Sequence, residues 1–147
     1  MVIFELGIIR AGVPLISKQY YEEHSMPVDN VLRSGFLSAL NSFAAQAFSD
    51  EIESFTMKNF KIVLLSEQQK KDTESEGIFS YCIGDKKLNL KLAKRALTKI
   101  LEEFSNKYGK SDLPNDLSTY DEFLLVFDSI LGDFVKKPED RLRSIFG

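Results

Sequence analysis

Two nearly continuous apolar runs near the middle of the chain, and a third at its start, constrain this sequence most. Residues 2–9 (Val-Ile-Phe-Glu-Leu-Gly-Ile-Ile), 60–66 (Phe-Lys-Ile-Val-Leu-Leu-Ser) and 78–83 (Ile-Phe-Ser-Tyr-Cys-Ile) are apolar at almost every position. Runs this short are strands, and strands apolar on both sides of the pleat are covered on both faces. Two further segments carry polar interruptions. Residues 13–21 contain Pro14, Ser17, Lys18 and Gln19, and residues 51–58 alternate glutamate, serine and lysine with Ile52, Phe55 and Met57. Proline and lysine belong on edge strands, where a missing donor or a charge does no harm. Arg10-Ala11-Gly12 joins the first two strands by a tight turn, with Gly12 free to take positive φ.

Three helical stretches complete the pattern. Residues 30–48 follow Asp29, a fitting N-cap, and place Leu32, Phe36, Leu40, Phe43 and Ala47 at helical spacing, widened by Ala39 and Ala44. This stripe predicts the buried face of the helix. Residues 89–108 offer Ala93, Leu97, Ile100 and Phe104 to the core and end before Gly109, a good C′ residue. Thr119-Tyr-Asp-Glu122 fits a capping box, after which Tyr120, Phe123, Leu124, Phe127, Leu131 and Phe134 form one apolar face. Pro138 is placed to start a short terminal helix ending in Ile145 and Phe146.

The order is therefore strand, strand, helix, three strands, helix, helix. A sheet with apolar central strands needs helices on both faces, so the expected fold is a single α+β domain in three layers. A chain of 147 residues suits one such core. The net charge of −3 lacks the basic excess with which nucleic-acid binders replace counterions. The first strand opens at residue 2 without a basic leader, and no apolar run reaches the roughly 18–20 residues of a membrane span. The expectation is a soluble, cytoplasmic protein that reaches membranes only through partners.

No residue cluster announces a reaction. Gly7 to Gly12 has Walker-type glycine spacing, but Val13-Pro14 stand where lysine and a hydroxyl residue are required. The single histidine, His24, sits in a polar stretch beside Glu22 and Glu23, without a second histidine or a cysteine near it in sequence. The single cysteine, Cys82, lies within an apolar strand and reads as a small buried hydrophobe. Neither zinc nor calcium spacing occurs. The reading is a non-catalytic protein with no cofactor and no metal.

The element order is that of longin domains, and it most resembles the small (sigma) chains of clathrin-type vesicle adaptors. The resemblance covers roughly residues 2–135. It rests on Arg10-Ala11-Gly12 with Lys18 and Tyr20 after it, on Asn59-Phe60-Lys61-Ile62, on Phe79-x-Tyr-Cys82-Ile83-x-Asp85, on the stretch from Leu88 to Tyr108, and on Asp121-Glu122-Phe123 followed by Phe127. It implies a sheet order of 2-1-5-4-3, with the first helix on one face and the other two opposite. It also implies a protein-interaction module in vesicle traffic, with a larger adaptor or tether chain or a small GTPase as partner. A longin SNARE carries a heptad region and usually an anchor, which are not found here. Adaptor small chains bind acidic dileucine signals partly through an aliphatic position on the second helix; the matching position is Thr98.

Residues singled out for partner binding follow from exposure and charge. Phe55 and Met57 lie on one expected edge strand and Lys18 on the other. Lys91, Lys94, Arg95 and Lys99, with Lys87, fall opposite the apolar stripe of the second helix, where basic first turns oppose the helix dipole. Ile145 and Phe146 are apolar ends available to dock. The rival reading is a ligand-sensing domain of profilin- or PAS-like architecture, which predicts a pocket lined by Phe and Tyr with a few polar groups.

Overall fold

A computed structural model of the chain describes residues 2–20, 30–66, 77–108 and 117–134, without the side chains of residues 30, 117–119 and 133–134. The expectations for Asp29, His24, the 67–76 loop, Gly109, the Thr119 cap, the Phe134 side chain and the terminal helix lie outside what is described. Strands β1 (Ile3–Arg10), β2 (Val13–Gln19), β3 (Ser54–Thr56), β4 (Lys61–Ser66) and β5 (Ile78–Gly84) form one five-stranded sheet ordered β2-β1-β5-β4-β3. Every pairing is antiparallel. Helices α1 (Asn30–Phe48), α2 (Leu90–Tyr108) and α3 (Leu124–Phe134) complete the fold, and a 3-10 segment, Leu117–Phe123, leads into α3.

The apolar runs are the inner strands, and the polar-interrupted ones are the edges. β1 and β5 lie at the centre with all but Arg10 buried. Alternation along the pleat then sorts the side chains. Leu6, Ile8, Val63, Ile78 and Cys82 pack with Ala93, Leu97, Ile100 and Phe104 of α2 and with Tyr120, Phe123 and Phe127. Ile9, Ile62, Leu64, Phe79, Tyr81 and Ile83 form the opposite face with Leu37 of α1. The layers are therefore α1, sheet, then α2 with α3.

The β1–β2 turn places both Ala11 (φ 50°) and Gly12 (φ 80°) in the left-handed region, as a two-residue hairpin requires. β2 slips register opposite Ile8 and Ile9, which turns the adjacent Leu15 and Ile16 toward the α2 side together. β3 is shorter than the 51–58 expected, because a turn closed by the Met57 amide donating to the Phe60 carbonyl at 2.7 Å takes its last residues. The α3 region also starts differently. Three residues per turn in the 3-10 segment set Tyr120 and Phe123 on one side, both buried, before the α-helix begins at Leu124. Asn89 caps α2, its side-chain oxygen accepting from the Leu92 amide at 3.1 Å.

The first helix corrects the sequence reading. Leu37 and Ala44 are its buried apolar residues, whereas Leu32 is 71%, Phe36 52% and Phe43 61% exposed, and Ala39 and Ala47 also face outward. Of the stripe expected in the core, Ala44 is buried and Leu40 half-buried, and the rest is on the surface. The reason is polar. Glu5 of β1 is wholly buried on this face of the sheet, and Arg33 must turn inward to meet it, which rotates the neighbouring stripe away. Arg33, Ser34 and Asn41 go in instead, and the buried hydroxyls of Ser34 and Ser38 find no hydrogen-bond partner among the described residues.

Candidate functional site

A surface helix ordinarily carries charge on its outer side. α1 does not. Its nineteen residues contain one charged side chain, Arg33, and that one is spent on the sheet: Arg33 Nη2 donates to Glu5 Oε1 at 2.6 Å and Nε to Oε2 at 3.3 Å. Tyr81 Oη donates to Glu5 Oε2 at 2.8 Å and Gln19 Nε2 to Oε1 at 3.2 Å, so the carboxylate is met from three directions. These bonds fix the roll of α1 about its axis.

What faces outward is uncharged and largely apolar: Val31, Leu32, Phe36, Ala39, Phe43, Ala47 and Phe48. Phe36 stands edge-on to Phe55 of β3, with ring centroids 6.1 Å apart, and Phe43 meets Phe48 in the same manner at 6.1 Å. Met57, 46% exposed, follows just beyond β3. The apolar surface thus runs from α1 across to the β3 edge of the sheet. At roughly 150–250 Å² per full aromatic side chain, its exposed rings and aliphatic groups present on the order of 600 Å². That equals or exceeds the largest apolar patch usual on a monomer, and such patches mark interaction surfaces.

The residues singled out from sequence separate on this surface. Phe55 and Met57 fall within it. Lys18 does not: its Nζ pairs with Asp128 Oδ2 of α3 at 2.7 Å, Tyr20 Oη donates to Asp128 Oδ1 at 3.1 Å, and the ammonium lies 5.4 Å from the Tyr20 ring centroid. Lys18 fastens the β2 edge to α3. The basic strip is partly consumed too, since Lys94 pairs with Glu53 and Lys99 with Glu103 at 3.4 Å. Lys91 and Arg95 are exposed on α2. Thr98 is exposed, its hydroxyl turned back to donate to the Lys94 carbonyl at 2.7 Å. Ile145 and Phe146 lie outside the described residues. Leu32, Phe36 and Phe43 lie on the stripe that periodicity assigns to the core, and Phe48 is not singled out by it; the absence of charge along α1 marks the helix as unusual without choosing its face.

A second feature is a cleft of about 560 Å³ at one end of the sheet, lined by Ala11 and Gly12 of the β1–β2 turn, Ser38, Asn41 and Ser42 of α1, and Glu51, Ser66 and Phe79, among others. Among the described residues its walls are mostly small or polar, with Ile78 the large aliphatic and Phe79 the one aromatic side chain, unlike the Phe- and Tyr-lined pocket of a ligand-sensing domain. Among the described residues no group of three or more His, Cys, Asp or Glu is placed to hold a metal ion, and no helix is long and apolar enough to cross a membrane. No family model matches the chain, and no curated protein matches it.

Proposed function

We propose that the chain is a non-catalytic, longin-type binding subunit whose working surface is the outer face of α1 together with the β3 edge. The observation that carries this reading is the charge-free aromatic surface joined through Phe36 and Phe55. Exposing such a surface to water is unfavourable by roughly 25 cal/mol per Å², a cost that a partner removes on docking. The layer order and the 2-1-5-4-3 sheet are those the resemblance to adaptor small chains implies, and they support the same reading. The partners this implies are a larger adaptor or tether chain or a small GTPase, in vesicle traffic, with any membrane association made through them.

The experiment is affinity capture of the tagged chain from its own cell extract, with GDP or a non-hydrolysable GTP analogue. The wild type is run beside the Phe36→Ser/Phe43→Ser double variant. A protein recovered by the wild type and lost by the variant is the expected result. Nucleotide dependence then separates a GTPase-linked role from a constitutive subunit. Recovery that ignores the double substitution contradicts the assignment to this surface.

A further inference from the structure

We propose that the occupant of the α1 face is a second copy of this chain, docked by antiparallel crossing of α1 on α1 about a two-fold axis between Ala39 and Leu40. The proposal rests on the docking role of this face and puts a second copy on α1 in place of the larger chain or GTPase, which are left to the other surfaces of the dimer. Three observations carry it. First, the face is self-compatible in charge. The chain carries a net charge of −3, so two copies repel over most of their surfaces. The one charge of α1 is turned into the sheet against Glu5, which leaves a strip where two copies meet without opposing like charges. That strip also gives a charged partner nothing to pair with.

Second, the sizes are self-complementary. At 3.6 residues per turn, Leu32, Phe36, Ala39, Phe43 and Ala47 share an arc of about 80° of the helix. A two-fold axis between Ala39 and Leu40 sets large Leu32 against the partner's small Ala47, and Phe36 against the partner's Phe43. Those rings then meet as an aromatic pair. Ala39 lies beside the axis against the partner's half-buried Leu40, and its small side chain allows the two helices to approach within about 8–10 Å. An isologous interface needs this pairing of a surface with itself.

Third, the area is sufficient. On the order of 600 Å² from each copy gives roughly 1,200 Å² in all, the lower end of specific protein interfaces. Phe55 and Met57, which flank the helix on the β3 side, are part of that area.

The test is sedimentation velocity of the full chain from about 1 to about 100 µM, the affinity range fitting a small apolar interface. It is paired with oxidation of an Ala39→Cys variant. The expected result is a concentration-dependent dimer that the Phe36→Asp/Phe43→Asp variant loses with an unchanged circular dichroism spectrum. Ala39→Cys then forms an interchain disulfide near the axis, and Glu102→Cys on α2 does not. Cys82 is buried and stays out of this chemistry. A wild type that is monomeric throughout overturns the proposal, as does a dimer that survives both the double substitution and Ala39→Glu. In the monomeric case, photocrosslinking from position 43 in the cell separates the two claims. An adduct with a different protein leaves the docking role standing and removes only the copy, while no adduct removes both.

Discussion

Arg33 Nη2 lies 2.6 Å from Glu5 Oε1, and this contact between α1 and the central strand decides which side of α1 faces the sheet. Glu5 is wholly buried and Arg33 largely so, with side-chain exposures of 1% and 19%. Removing one partner of such a pair leaves an uncompensated charge, at a cost of about 3–5 kcal/mol, whereas an apolar pair of similar volume is close to neutral. Glu5→Leu and Arg33→Met should each destabilise the protein by about that amount in urea titration, and the double variant should recover most of it. Because the pair sets the roll of the helix, the double variant should also bury more of the Leu32–Phe43 stripe and bind a hydrophobic dye less than the wild type. Equal dye binding would show that the roll is fixed by something else.

Gly7 sits where the Tyr81 ring crosses β1. A Cβ built there falls 2.5 Å from Tyr81 Cζ and Oη, a separation that no packing tolerates. Gly7→Ala must push the ring aside and pull its hydroxyl from Glu5, a loss of roughly 2–4 kcal/mol from overpacking and a broken buried hydrogen bond together. Gly7→Ala in a Tyr81→Ala background removes the clash and should cost far less than the two changes summed. Additive costs in that cycle, read by chemical denaturation, would contradict the contact.

The Lys18–Asp128 pair is about one-third to two-fifths exposed. Pairs this wet contribute under about 1 kcal/mol. Lys18→Ala should therefore lower stability only slightly and leave partner capture unchanged, since the residue holds β2 to α3, away from the α1 face. A Lys18 variant that loses its partner while keeping its fold would restore this residue to the binding surface.

Burial, and after it the nearby Glu5 carboxylate, raises the Tyr81 hydroxyl well above its usual 10.0. Burial and then Asp128 raise Tyr20, and burial alone raises the Cys82 thiol above 9.0. Each group holds its proton more tightly folded than unfolded. The stability they contribute is complete below about pH 9 and is lost as pH rises through the unfolded values toward the higher folded ones. Stability measured in urea should decline above pH 9, and less steeply in Cys82→Ala. Cys82 should react with a thiol reagent only at the rate of opening, and labelling at the rate of a free thiol would place it on the surface.

The sheet was legible because burial on both faces leaves a direct mark: unbroken apolar strands at the centre, proline and lysine at the edges. α2 was legible because its polar and apolar sides are well separated, and Ala93, Leu97, Ile100 and Phe104 are buried as the spacing indicates. α1 was not. Its apolar residues occupy too wide an arc for periodicity to choose a face, and Glu5, twenty-eight residues before Arg33, makes the choice through space. No local pattern encodes that contact. Only the β3 side of the candidate surface, Phe55 and Met57, could be found from edge-strand composition; the aromatic side of α1 follows only once the roll of the helix is known.

Site-specific photocrosslinking tests the central claim most directly. A benzoylphenylalanine is placed at position 43 on α1 and, separately, at position 102 on the outer side of α2, and the full chain is irradiated in its own cells. The docking account predicts a discrete protein adduct from position 43, twice the chain mass if the occupant is a second copy, and none from position 102. Adducts from position 102 alone, or the same adducts from both, would place the working surface elsewhere.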